Sequence, residues 1–275
     1  MTLDPGQLRR PMTLGEILSG AVALYRSHFR TFLAISLVTL PLSAIAISGV
    51  SYSRRNPALF DAIALLSLPL FLLLDIVVYA AVAQAVAAAR DGFSPSFGQS
   101  YKHVLSRLSG LMLAVARVYG LAFLAFVPVF LVSLFLAFLM FAPSGGERMS
   151  SHTTVGVFLG AFGVGVLPVA YLLVRWAFFL QAVVLEDTSS GEALSYSSEI
   201  VHGRWWRAFG IFLVVWLLGA VMQSPATAMS WTVSRPMGTS LGTVIGVLVW
   251  PFSGIAYTLL FFDLQSRESE RFGTV

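Results

Sequence analysis

The sequence predicts an all-α polytopic integral membrane bundle of about six transmembrane helices, arranged as three hairpin repeats that are each led by an interfacial amphipathic helix. Three observations predict it. First, of 275 residues 57% are hydrophobic and only 11% charged, with a mean hydropathy of +0.83. A soluble domain carries about 25% charged residues, so this chain lacks the charge to coat a water-facing surface. Second, the apolar residues fall in runs long enough to cross the hydrocarbon core, which takes about 20 helical residues. The runs are too long, and alternate too little, for strands. Third, the polar segments that lead into alternate runs resemble one another. The chain has no cysteine, which excludes disulfides, thiolate metal sites, cysteine nucleophiles and lipidated cysteines.

Six runs qualify as spans: residues 31–50, 59–89, 108–141, 155–185, 205–223 and 241–262. The second is long enough to tilt or protrude. Pro41, Pro69, Pro128, Pro168 and Pro251 lie inside them, which predicts kinks of a kind that membrane helices tolerate. Arg9 and Arg10 are followed by Pro11 and a polar-interrupted segment rather than an apolar core. The first membrane helix is therefore expected to remain in the mature protein.

Six spans put both termini on one side. That side holds eleven of the 17 cationic residues, including Arg26, Arg30, Arg90, Lys102, Arg107, Arg204, Arg207 and Arg267; the other side holds four. The positive-inside rule then predicts cytoplasmic termini, in the inner membrane of a bacterium. The pI of 9.7 reads as topology and contact with anionic lipid, not as a nucleic-acid surface.

Thr13-Leu14-Gly15-Glu16 recurs as Ser96-Phe97-Gly98-Gln99 and as Ser189-Ser190-Gly191-Glu192. Each reads as a capping box, in which the hydroxyl caps a free backbone N–H and the Glu or Gln three residues on reaches back. Each would open a short helix leading into an odd-numbered span. The first is amphipathic, with Leu14, Ile17, Leu18, Ala21, Val22, Leu24 and Tyr25 on one side. It is expected in the interface, with that side in the acyl boundary. One membrane domain over 1–275 follows, with units at about 12–90, 95–186 and 188–264 and a tail at 265–275.

Three stretches carry a family resemblance. Near the start is Arg10-Pro11-Met12-Thr13-Leu14-Gly15-Glu16-Ile17-Leu18, followed by Tyr25-Arg26 and His28-Phe29-Arg30. In the middle are Val184-Leu185-Glu186-Asp187, Glu192-Ala193-Leu194 and Gly203-Arg204-Trp205-Trp206-Arg207. At the end are Pro251 and Thr258-Leu259-Leu260-Phe261-Phe262-Asp263-Leu264, with Arg267 behind. Together they resemble the membrane domain associated with bacterial glycerophosphoryl diester phosphodiesterases, a family with many stand-alone six-span members of unknown function. Phosphodiesterase activity there belongs to a separate soluble barrel, which needs at least about 200 residues, and this chain uses its length on spans. The resemblance implies a membrane module, not a hydrolase.

Charges inside spans are costly, about 2.5–3.5 kcal/mol at mid-span on insertion scales. Asp75, Arg117 and Arg175 are the candidates. Helical rise puts Asp75 about 22 Å from Arg90, Arg117 about 15 Å from Arg107 and Arg175 about 16 Å from Glu186. These depths overlap, so Asp75 is expected to pair with Arg175, Arg117 or both. The pair would be a helix staple, a substrate or proton site, or arginines reaching head groups.

Gly156-xxx-Gly160 and Gly242-xxx-Gly246 read as close-packing motifs. Trp205, Trp206 and Arg207 read as an interfacial anchor, and Asp263 with Arg267 as an ordinary helix-end pair. His28, His103, His152 and His202 lack paired ligand spacing, so neither metal nor cofactor is expected. No nucleophile elbow, Walker loop or dinucleotide fingerprint is present.

Two functions stay open at this point. The first is a non-enzymatic accessory or scaffold module in lipid and envelope physiology, with membrane lipids and a protein as partners. The second is a transporter or lipid-handling protein that uses Asp75, Arg117 and Arg175. A transporter should have a water-accessible cavity reaching those charges; a scaffold should have them sealed in packing.

Overall fold

A computed structural model describes residues 11–45, 57–141 and 150–272. Its helices are α1 (Leu14–Ser27), α2 (Phe29–Leu37), α3 (Pro57–Arg90), α4 (Phe97–Ser106), α5 (Leu108–Phe141), α6 (Ser151–Arg175), α7 (Phe179–Leu185), α8 (Ser190–Val201), α9 (Trp205–Thr232) and α10 (Arg235–Phe272). Among the described residues there is no strand. The chain is an all-α, multi-pass membrane bundle. Five stretches are long and apolar enough to cross a bilayer: 69–90, 108–140, 151–185, 205–232 and 235–270. They correspond to the second through sixth expected spans. The first expected span, 31–50, is described only to residue 45. It turns at Val38 and Thr39 and is helical again over 40–45; its remainder lies outside the described residues.

α10 is the axis of the bundle. Its stretch over 255–264 is apolar all round except for Thr258 and Asp263, the signature of a helix buried on every side. Ile255, Leu259, Leu260, Phe261 and Leu264 are wholly buried. Around this axis pack α1, α2, α3, α8 and α9. Gly254 allows the approach of α3, because a Cβ there would stand 2.9 Å from Cγ1 of Val82. α5 and α6 form a hairpin on the rim. Phe126 and Phe130 interlock with Phe158 and Phe162 at ring distances of 5.5–6.5 Å, and the outer side of α5 is exposed. In hydrocarbon such exposure carries no hydrophobic penalty.

Several sequence expectations change here. The centre of the apolar side of α1 packs on protein rather than facing the acyl boundary, while Leu14 and Val22 of that side stay exposed. Ile17 and Ala21 are fully buried, Gly20 meets Leu259, and the Tyr25 hydroxyl donates to the Leu248 carbonyl at 2.9 Å. The reason is that the apolar stretch of α10 offers this face a partner. Two of the three capping boxes form in full, at Thr13/Glu16 and Ser189/Glu192. Ser96 makes no side-chain cap bond; its would-be partner Gln99 carries no charge to favour the helix N-terminus. A Cβ added at Gly156 or Gly160 would meet no atom within 4 Å, and both border open space between α5 and α6, so the expected packing of this pair within the chain is not formed among the described residues. Gly242 does pack, against Ala226 and Gln223 of α9.

The long fourth span is interrupted. α6 stops at Arg175 and α7 starts at Phe179. Ser197 of α8, wholly buried, supports the break from both sides. Its hydroxyl donates to the Arg175 carbonyl at 3.1 Å and accepts from the Phe178 N–H at 3.0 Å. Backbone groups freed inside apolar packing must find partners, and one serine supplies two.

Candidate functional site

The three intramembrane charges do not come together. Asp75 is half-buried on α3, and its Oδ1 has no hydrogen-bond partner. Arg117 is exposed, and its guanidinium lies over Gly191 at the start of α8, where an added Cβ would meet Nη1 at 2.8 Å. Arg175 ends α6, one turn beyond Tyr171, whose carbonyl accepts the Trp205 indole N–H at 3.1 Å. Both arginines therefore stand at the end of the bundle where α8 and α9 begin. Asp75 lies about 22 Å up α3 from Arg90. Among the described residues no ion pair joins it to either arginine. The expected pairing is corrected for two reasons. The break after Arg175 invalidates a depth counted along an unbroken helix, and arginine's long side chain carries the charge of Arg117 to the interface.

Among the described residues, the charge that is buried is Asp263. Its side chain is wholly inaccessible. Oδ1 accepts from the Met12 N–H at 2.7 Å and from Arg267 Nε at 2.9 Å. Oδ2 accepts from Arg207 Nε at 3.0 Å and pairs with its Nη2 at 2.9 Å. Both arginines also donate to the Met12 carbonyl, Arg267 at 3.1 Å. One carboxylate thus holds the segment before α1, the first turn of α9 and the last turns of α10. A second bridge runs beside it, with Arg204 pairing with Glu268 at 2.8 Å and donating to the Arg267 carbonyl at 2.8 Å. Gly203 has φ +74°, a left-handed conformation that glycine accepts without cost. It turns the chain so that Arg204 and Arg207 enter α9 facing α10.

Asp263–Arg267 is therefore not an ordinary helix-end pair, and Arg207 is more than an interfacial anchor. The i, i+4 spacing was visible in the sequence. The roles of Met12 and Arg207 were not, since their contacts with Asp263 span 251 and 56 positions of chain. The only hint was that the node draws on one residue from each of three stretches singled out separately: Met12, Arg207 and Asp263.

Further charged and polar contacts flank the node. Arg90 lies over the Phe262 ring, 4.1 Å from its centre. Gln265 donates to Glu186 and to the Tyr196 hydroxyl, both at 2.9 Å. Arg107 pairs with Asp187. His103 bonds the Val184 carbonyl at 2.9 Å. Among the described residues no group of three His, Cys, Asp or Glu could hold a metal ion.

Towards the opposite end of the bundle the described residues enclose two cavities. A cavity of about 460 Å³ lies between residues 39–43, α3, α9 and α10, and a second of about 250 Å³ adjoins it. Gln223 and Trp250 line both. Tyr79 and Tyr257 line the second; Asp75, Arg117 and Arg175 line neither.

The family described as "Domain of unknown function (DUF7847)" matches residues 29–264. Comparison with curated proteins and with solved structures gives no match.

Proposed function

The chain belongs to the DUF7847 family, a domain of unknown function, and we propose that it is a non-enzymatic membrane module, an accessory subunit or scaffold in lipid and envelope physiology. One observation carries this reading. The wholly buried carboxylate, Asp263, is committed to binding three chain segments to one another, with both oxygens occupied by Met12, Arg207 and Arg267. A carboxylate so saturated stabilises architecture and has no lone pair positioned for a substrate. The reading has further support in that, among the described residues, no ion pair joins Asp75 to Arg117 or Arg175 and none of the three lines either far-face cavity. The resemblance to the phosphodiesterase-associated membrane domain supports the lipid and envelope setting.

The proposed setting is the inner membrane of a bacterium, with both termini cytoplasmic. The concentration of Arg90, Arg107, Arg204, Arg207 and Arg267 at the Met12 end of the bundle supports this by the positive-inside rule.

Gentle purification with native lipids followed by native mass spectrometry tests the reading. A stoichiometric protein partner is the expected result. Recovery of the chain alone with a small molecule that is lost when Asp75 or Arg175 is neutralised would overturn it.

A further inference from the structure

The far-face cavity gathers on one wall hydroxyls of the kind that helical Ser and Thr ordinarily turn back on their own helix. Six hydroxyls line it, and each has its proton engaged within its own segment. Thr39 donates to the Ser36 carbonyl at 2.8 Å and Ser43 to Thr39 at 3.0 Å. On α9, Thr227 donates to Gln223 at 3.3 Å and Ser230 to Ala226 at 3.0 Å. On α10, Thr239 donates to Arg235 at 2.8 Å and Thr243 to Thr239 at 3.0 Å. A hydroxyl has one proton and two lone pairs, so all six are left to act as acceptors. Gln223 adds a seventh. Its Nε2 donates to the Gly242 carbonyl at 3.2 Å, while its buried Oε1 has no partner.

The cavity is thus lined by acceptors that call for donors. Among the described residues lining it none is charged. A cationic ligand would lie uncompensated in a low-dielectric site, and an anion would face lone pairs. What fits is an uncharged group rich in O–H donors. Trp250 supplies a flat apolar wall with one N–H. The volume of about 460 Å³ falls within the range of ligand sites, about 300–1,000 Å³.

Depth identifies the source of that group. Along α9, Gln223 lies about 24 Å and Ser230 about 34 Å from Arg207, at about 1.5 Å per residue. The hydrocarbon core is about 30 Å thick. The acceptors therefore straddle the level where acyl chains give way to head groups, and Phe71 and Val247 continue the lining on the apolar side. We propose that this cavity binds the sugar head group of an uncharged glycolipid from the leaflet opposite the termini. The inference is independent of any protein partner.

The test uses the full chain in a detergent without sugar, with native mass spectrometry as readout. The probes are a monoglucosyl diacylglycerol, its per-O-methylated counterpart, a phosphatidylcholine of the same chains, and free glucose. The glycolipid should be retained one to one, at least tenfold more than either other lipid, and excess glucose should not displace it. Gln223→Leu, and Thr227→Val with Thr243→Val, should each reduce retention at least fivefold. Equal retention of the glycolipid and its methylated form by the unaltered protein would overturn the proposal, whatever the variants do. Displacement by free glucose would overturn the lipid assignment.

Discussion

The Met12 N–H donates to Oδ1 of Asp263 at 2.7 Å, across 251 positions of chain. Arg207 and Arg267 complete the shell of the same carboxylate. A carboxylate removed from water is costly unless its lone pairs are filled and its charge compensated. Here both conditions are met by groups from three separate segments. The arginines keep part of their surface at the membrane–water boundary, each 29% exposed. The node therefore sits where the tightly packed end of the bundle meets water, and it closes α1, α9 and α10 into one unit.

The capping boxes differ in strength. Thr13→Ala and Ser189→Ala should each lower stability by about 1 kcal/mol, the usual worth of an N-cap hydroxyl. Ser96→Ala should change it by only a few tenths, since Ser96 makes no cap bond. Thermal unfolding of the three variants in detergent checks the order. Equal losses at all three would mean that Ser96 caps its helix as the others do.

Three glycines give a graded test of packing. A Cβ on Gly238 would collide with Ser230, backbone included, and one on Gly254 would press on Val82 and Tyr79. Gly238→Ala and Gly254→Ala should each destabilise by about 1–3 kcal/mol, the range of overpacked cores. Gly156 faces open space, so Gly156→Ala should be neutral or stabilising by up to about 1 kcal/mol through helix propensity. Melting temperatures of the three decide it.

Asp75 and Arg175 should behave independently. With no contact between them, the effects of Asp75→Asn and Arg175→Gln on unfolding should add within about 0.5 kcal/mol. A larger interaction energy would restore the intramembrane pair expected from sequence.

Much of the fold was legible from the chain. Spans two to six follow from the length and continuity of apolar runs, and the Thr13 and Ser189 boxes from their three-residue spacing. The site was not. A depth for Arg175 counted along an unbroken helix misses the break at 176–178, which depends on Ser197, about twenty residues later; Arg117 lies on an unbroken α5, but its long side chain carries the charge to the interface. Asp263 with Arg267 looked local because sequence spacing reveals only the partner one turn away. Met12 and Arg207 reach the carboxylate through tertiary packing, which no local pattern encodes. The far-face cavity was invisible for a similar reason, since Ser and Thr in apolar helices look merely tolerated until their oxygens are found on one wall.

Tyr101 predicts an alkaline response. Burial pushes its hydroxyl up to about 12, against about 10 in an unfolded chain, and the protonated hydroxyl donates to the Ile35 carbonyl at 2.8 Å. The folded state holds this proton more tightly, so its contribution is full below about pH 10 and is lost as pH rises towards 12. Tyr101→Phe should lose about 1 kcal/mol at neutral pH with the hydrogen bond and show a shallower fall in melting temperature from pH 10 to 12. An unchanged slope would contradict the assignment.

The most direct test of the account is a double-mutant cycle on Asp263 and Arg207. Asp263→Asn, Arg207→Met and the double variant would be unfolded by heat in detergent beside the unaltered protein. Asp263→Asn alone should cost about 3–5 kcal/mol, because it leaves two arginines facing a neutral group inside the fold. The double variant should be more stable than the sum of the single losses by at least about 1 kcal/mol. Strict additivity, with only a small loss for Asp263→Asn, would mean that the carboxylate does not hold the bundle together.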